Sequence, residues 1–477
     1  MKINPKWIIV IPLIVFVITT FYYTWVIASP YLQADDWRFV NIYLRPVYNG
    51  DFKISDLWSD GVHPMPLYAT LFIWSSKYFH LQVNYIARFS IFFQMFLGLT
   101  VGYSFLNSVK TNKINSYFLI MALISINTVI FSFIVHVPYA WPLMTTLFLS
   151  SFFTVFLSSI IDRYLKSQEN HGIKVFLITG LILIVFFLMF SDWAVIFSLS
   201  IITVLSVISL IERKQLNKLL KVIFVLVLSL IIGGVIISFL KENSRNLHVD
   251  YTKLMALIID NPVLFFKTIS VGLFSGLVNY KWVVKTLEIN QLYYLFFSVV
   301  FMIAYVFVLL MFFMKKLYKK SLVPPVLMIY SLIFILSVLV FRYNPVTNGE
   351  YCLIIPRYLQ YYQVGLAGFF WGTYLLLFNT KSIKLVNKII IPVIAIILVF
   401  FWINDFRLQL KTSGFLISKY PEVSKNIRER INDENIKVPW SIQSYMNVNS
   451  QLNFLKTNKL NIYAPNYPYP DTSVKVK

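Results

Sequence analysis

The sequence predicts an all-α integral membrane protein, a polytopic bundle of about eleven transmembrane helices. Three observations predict it. Apolar runs of about twenty residues, long enough to cross a bilayer, recur from Trp7 to Asn404. Of the 477 residues 58% are hydrophobic and 13% charged, too little charge to cover a soluble surface. The Lys and Arg residues fall mostly in short loops between the runs, with a pattern that alternates along the chain.

The first run, Trp7–Ala28, follows Lys2 and Lys6. It is long for a signal peptide, and Tyr22, Tyr23 and Trp25 near its far end suit the interfacial belt of a retained helix. The next spans are predicted at Tyr85–Leu106, Tyr117–Val135, Trp141–Ile161, Lys174–Phe190 and Trp193–Ile211. Leu219–Leu240, Gln291–Met314, Leu322–Phe341, Tyr358–Phe378 and Leu385–Asn404 complete the set. Around Ser191-Asp192-Trp193 two helices are joined by almost no loop, and Asp192 reads as a helix-start cap.

The charges orient the bundle. Lys110 and Lys113, then Arg163, Lys166 and Lys174, then Arg213, Lys214 and Lys218 fall on the side of the N-terminus. So do Lys315, Lys316, Lys319 and Lys320, and finally Lys381 and Lys384. That side is expected to be the cytoplasm, with the C-terminus outside. The net charge of +22 is thereby assigned to topology and anionic lipid, with no nucleic-acid partner.

Residues 1–404 form the predicted transmembrane domain, with a first outer loop at 29–84 and a second outer segment at 241–290. Within the second, Leu254–Leu277 is broken by Asp260-Asn261-Pro262 and reads as helices at the interface or re-entrant, or else as two shallow spans. A short outer loop runs from Arg342 to Pro356, and residues 405–477 read as a small outer α/β or irregular region. Cys352 is the sole cysteine, so no internal disulfide forms, and beside Leu353 and Ile354 it reads as a small buried hydrophobe.

Chemistry is expected in the first outer loop. It begins Ser29-Pro30-Tyr31-Leu32-Gln33-Ala34-Asp35-Asp36-Trp37-Arg38-Phe39. Adjacent carboxylates at a membrane surface are costly unless paired, solvated or used. The plain reading is a solvated helix end and a cap; the other is a site that holds a polar substrate against the bilayer. The loop continues to His63-Pro64-Met65-Pro66-Leu67-Tyr68, whose prolines precede an apolar stretch, Leu67–Phe79, suited to a juxtamembrane helix.

These residues resemble the GT-C superfamily of polytopic glycosyltransferases. Aminoarabinose transferases of lipid A and protein O-mannosyltransferases carry D-E-x-R-Y or D-E-x-x-F just after their first membrane helix, and Asp35-Asp36-Trp37-Arg38-Phe39 is similar, with Asp in place of Glu. His63-Pro64-Met65-Pro66-Leu67-Tyr68 is similar to their H-x-P-L-Y-like segment, and Arg357-Tyr358 after Pro356 to the R-Y pair that opens a late helix. Length and an outer tail also resemble the bacterial O-antigen glucosyltransferases. The likeness covers about the first hundred residues and one late helix.

The resemblance implies a GT-C-like fold, a polyprenyl-phosphate sugar as donor and a glycan or glycolipid as acceptor, at the outer face of a bacterial cytoplasmic membrane. It implies Asp35 as general base, with Asp36 orienting the acceptor or binding a divalent cation if one is used; the reverse assignment of the two stays open. Arg357 is the candidate for the lipid phosphate, and Arg38, His63 and Tyr358 are further candidate substrate contacts. For Arg357 a snorkelling helix end, and for His63 a structural loop residue, are the alternatives. His136, Asp192, Arg342 and Glu350 are weaker polar candidates.

No phosphate-binding loop, dinucleotide glycine fingerprint or Cys/His metal cluster occurs in the sequence. The predicted cytoplasmic loops are too short for a nucleotide-sugar domain, which favours a lipid-linked donor. Two other classes stay in view. A transporter or lipid flippase wants ionisable residues in mid-span and broken helices. An envelope polysaccharide polymerase or ligase would lean on outer-loop arginines.

Overall fold

The computed structural model describes residues 5–33, 36–58, 65–109, 114–134, 143, 145–166, 172–212, 216–240, 251–341, 345–349, 351–379, 384–433, 435–438 and 448–469. Among them no strand occurs. The helices are α1 (Pro5–Ile27), α2 (Asp36–Phe39), α3 (Arg45–Asn49), α4 (Pro66–Tyr78), α5 (Asn84–Ser108) and α6 (Ser116–Ile130). Then come α7 (Thr145–Lys166), α8 (Gly172–Met189), α9 (Ser191–Ile211), α10 (Leu216–Leu240), α11 (Tyr251–Asp260) and α12 (Pro262–Ser275). The last are α13 (Gln291–Met314), α14 (Val323–Phe341), α15 (Pro345–Asn348), α16 (Pro356–Asn379), α17 (Lys384–Glu429) and α18 (Val448–Thr457).

A helix stands at each of the eleven predicted windows. Eight of them are long and apolar enough to cross a membrane: α1, α5, α7, α9, α10, α13, α14 and α17. The other three are the short α6, the α8 helix whose described apolar part runs Leu177–Met189, and the more polar α16. The exposed surface agrees with a membrane protein. On α13, Leu292, Phe296, Ile303, Phe307 and Leu310 are exposed while Tyr294, Ser298, Met302 and Tyr305 are buried. An apolar stripe of that length would be costly in water and is at home in lipid.

The core is a contiguous set of helix contacts: α5 on α7, α8 on α10, α1 on α5 and α6, α17 on α6, and α14 on α16. The last pair approaches closely because of glycine. A β-carbon added to Gly368 would lie 2.8 Å from the carbonyl oxygen of Pro324, so only hydrogen fits. Without water to squeeze out, such packing is a principal force between membrane helices.

The two ends of the bundle differ. At one, Lys166 pairs with Asp162 at 2.6 Å, and Asp162 also accepts the Leu322 N–H at 2.8 Å. Lys319 meets Glu212 at 2.6 Å, Tyr318 donates to the same Glu212 oxygen at 3.0 Å, and Lys320 donates to Asn379 at 2.7 Å. The C-terminal ends of α7, α9 and α16 therefore lie together with the Lys315–Lys320 turn after α13. Trp371, near the end of α16, donates to Ser108 at the end of α5, on that same side.

The other end carries the start of the first loop and the chain's tail. Here α17 differs from the sequence expectation, which ends the span at Asn404. The helix continues unbroken to Glu429, 46 residues in all, roughly 70 Å at the usual rise. Nothing between Asp405 and Lys419 stops it, since those residues include no proline and only one glycine, Gly414. The described tail is thus helix, short turns and coil. The α11–α12 break falls at Asn261, before Pro262, as the Asp-Asn-Pro sequence predicts.

Two outcomes follow. Gly368→Ala lowers the unfolding midpoint in detergent, by about 1–3 kcal/mol of stability, whereas Gly234→Ala, whose β-carbon meets nothing within 4 Å, leaves it level or slightly higher. The hydrogen bond from Lys319 holds the Glu212 carboxyl below its usual range. A carboxyl lowered by folding adds stability above its unfolded pKa and loses it as pH falls through the folded value. Melting midpoints measured against pH should therefore fall less steeply on acidification for Glu212→Gln than for the parent protein.

Candidate active site in the first loop

Helix α1 delivers the chain to Ser29-Pro30, where the Ser29 hydroxyl donates to the Tyr31 carbonyl at 2.9 Å. A reciprocal pair of bonds then starts α2. The Asp36 N–H donates to the Gln33 carbonyl at 2.9 Å, and the Gln33 N–H donates back to Asp36 Oδ2 at 3.0 Å. The other carboxylate oxygen, Oδ1, accepts the Tyr68 hydroxyl of α4 at 2.6 Å. Asp36 is 0% exposed. A buried carboxylate needs such donors, so Asp36 links the exit of α1, the start of α2 and the first turn of α4.

Aromatic residues close around this link. Phe39 packs on Tyr43, Tyr68 and Phe72 with centroids 5.2–6.1 Å apart. The Arg38 guanidinium lies 5.5 Å from the centre of the Phe39 ring, and the Trp37 indole donates to the Leu32 carbonyl at 3.0 Å. Burial pushes the Tyr31 hydroxyl up to about 12.

The tail completes the loop. Gln451 of α18 donates to the Trp37 carbonyl at 2.6 Å, and Arg45 of α3 donates to Ser450 at 2.5 Å. Asn461 spans the loop's two ends, its amide donating to the Pro30 carbonyl at 3.2 Å and the Leu81 carbonyl at 2.9 Å. Its backbone N–H donates to the His80 carbonyl at 2.7 Å. Asn461 has φ +50, a conformation that asparagine tolerates better than most residues. Tyr420, on the extension of α17, donates to the Ile27 carbonyl at 2.8 Å.

Of the predicted site residues, Asp36 and Arg38 come together here, joined by Tyr68, which the sequence marks only as part of the proline segment. Asp35 and His63 lie outside the described residues, as do His136, Arg342 and Glu350. Tyr358 stands apart, half-buried in the first turn of α16 and packed on Phe334. Arg357 precedes it in the helix, and its side chain is outside the described set. Helix α7 touches both α4 and α16. Asp192 lies in the first turn of α9, where the helix dipole favours an acid.

Two buried polar side chains escape the sequence reading. Gln360 is 1% exposed, and among the described residues neither of its amide atoms has a hydrogen-bond partner. Asp405, placed by sequence at the start of the tail, is 2% exposed and within α17. Neither stands out in the sequence, since Gln360 has Arg357 and Gln363 three residues away and Asp405 has Gln409 four away.

Among the described residues no three or more His, Cys, Asp or Glu side chains gather as a metal site. Each oxygen of Asp36 accepts a donor, the Gln33 N–H on one and the Tyr68 hydroxyl on the other. No protein-family model, curated protein or solved structure matches the chain.

The Tyr68 hydroxyl is bonded to a buried charge, so Tyr68→Phe should cost about 1.5–3 kcal/mol. Asp36→Asn added to it should cost less than Asp36→Asn alone, because the two act as one unit. Unfolding midpoints of the four proteins of this cycle measure the coupling; strict additivity would break the link.

Proposed function

We propose that the protein is a glycosyltransferase that moves a sugar from a polyprenyl-phosphate donor to a cell-envelope glycan or lipid-linked acceptor at the outer face of a bacterial cytoplasmic membrane. One observation supports this reading most. The acidic segment after the first helix is not a solvated loop end, since Asp36 is wholly buried and bonded to α4 through Tyr68. A carboxylate engaged in this way serves the fold, which leaves its neighbour in sequence for the chemistry in this reading. The division of labour is then Asp35 as general base and Asp36 as the residue that secures the loop.

In the proposed reaction Asp35 takes the proton from the acceptor hydroxyl. The acceptor oxygen forms a bond to the anomeric carbon as the bond from that carbon to the phosphate oxygen breaks. The lipid phosphate leaves with the electron pair, and Arg357 neutralises it by a bidentate contact. Gln360, one turn further into α16, offers an unused amide donor and acceptor suited to the hydroxyl groups of a neutral sugar. Tyr358, Arg38 and His63 are assigned to substrate contact.

The finer topology belongs to the same proposal. Counting α6, α8 and α16 as spans gives eleven, an N-terminus inside and a tail outside, with the basic end of the bundle in the cytoplasm.

Asp35→Asn should abolish sugar transfer in cells whose surface polysaccharide is analysed, while the protein is still produced and folded; normal modification by this variant would sink the catalytic reading. Arg357→Ala should weaken use of the lipid donor by about 10²-fold, in line with losing one charge-stabilising group. Orientation is tested by labelling a cysteine at position 59 from outside the cell. Cys352 gives little background, because it is buried and burial raises its thiol to about 11. Labelling only from the cytoplasm would overturn topology and mechanism together.

A further inference from the structure

Arg88 stands one turn into α5, about 6 Å along the axis from Asn84. It shares a face with Tyr85, Phe89 and Phe92, all exposed, on a helix long and apolar enough to cross a membrane. A cation on a lipid-facing surface must reach the interface or a partner. The seam between α1 and α5 decides its neighbours. The two helices run antiparallel and close, with Leu13 against Gly98 and Ile9 against Gly102, where an added β-carbon would fall 2.6 and 2.8 Å from those side chains. The same register brings the far end of α1, where Tyr22 and Trp25 are exposed, up to Arg88.

Aromatic rings hold the guanidinium, and little else engages it. Its carbon lies 3.8 Å from the centre of the Trp25 ring and 5.5 Å from that of Tyr85. One terminal nitrogen donates to the Trp25 carbonyl at 3.3 Å, a long bond. Nε is buried without an acceptor, and among the described residues no Asp or Glu pairs with the group. A guanidinium carries five N–H donors, so most of the capacity of this one is unused. The side chain as a whole is half-buried, which leaves part of the fork open toward the bilayer. The start of a helix adds partial positive charge nearby, so the place favours an anion.

We infer that the seam of α1 and α5, at the end next to the first loop, is a binding site for the phosphate of an anionic phospholipid, with Arg88 as its cationic ligand and Trp25 as the platform that orients the fork. Arginine grips phosphate oxygens with two parallel N–H bonds, and at the edge of a bilayer the phosphate at hand is that of a lipid headgroup. A headgroup of net negative charge is favoured over a zwitterionic one, which brings its own cation. The acyl chains then lie along the exposed faces of the two helices, past Ile18 and Phe21 on one and Phe92 and Phe96 on the other. This site is separate from the first-loop carboxylates and does not depend on the glycosyltransferase reading.

The test uses the full-length protein in detergent, with bound lipid counted by native mass spectrometry during titration with phosphatidylglycerol. The parent should hold one phosphatidylglycerol more tightly than any others. Arg88→Lys keeps the charge but loses the fork, and Trp25→Ala removes an exposed ring. Each should weaken that first binding step by roughly tenfold, the scale of one lost charge-assisted hydrogen bond. Melting midpoints without added lipid show that the variants are folded, and the exposed Trp25 makes its variant the one to rely on if Arg88→Lys is not. Phosphatidylcholine and inorganic phosphate should compete poorly for the site. First-step binding unchanged in both variants, parent-like binding by Arg88→Lys, or equal competition by phosphatidylcholine or by inorganic phosphate would each overturn the proposal.

Discussion

A charge removed from water must be met by donors, and at Asp36 that requirement organises the end of the molecule where the first loop lies. The Tyr68 hydroxyl and the Gln33 N–H supply the donors, and they come from two different parts of the loop. Satisfying one carboxylate therefore sets where α1 ends, where α2 begins and where the first turn of α4 sits. The aromatic packing of Phe39 and the bond from Gln451 to the Trp37 carbonyl build on that arrangement. Asp36 is thus a carboxylate that ties the loop together.

Much of the fold was legible in the sequence because bilayer length and charge alternation are local signals. The helices at Gln291–Met314 and Ser191–Ile211 fall where the apolar windows put them, and the break before Pro262 follows from a short polar interruption. The continuation of α17 past Asn404 was not legible. Polarity rises there while helix propensity persists, and a window that scores hydropathy cannot separate leaving a membrane from leaving a helix. The site was legible by half. Two carboxylates after a membrane helix marked the place, but the bonds that bury Asp36 come from positions 33 and 68, and those that close the loop come from beyond position 448.

Asp405 and Gln360 show the same limit from the other side. Each is one polar letter in a helical stretch, and sequence alone does not say whether such a residue faces lipid headgroups, another helix or a cavity. Gln360 is buried with neither amide atom partnered among the described residues, whereas Asp405 is buried beside Asn279. Polar groups are costly to shield in this way, so residues that remain unsatisfied mark places where something other than the chain completes the structure. The basic end of the bundle is built differently. There Glu212 and Asp162 are matched by lysines and backbone donors, and the contacts hold loops together without leaving polar capacity over.

The bonds from Asn461 to Pro30 and Leu81 reach across 431 and 380 residues. Because a ribosome works from the N-terminal side, the loop is made long before Asn461 and stays unclasped until that residue has emerged. A chain that stops short of position 461 therefore lacks these bonds. A long span between contacting residues slows assembly; here it also ties closure of the loop to a late step of synthesis.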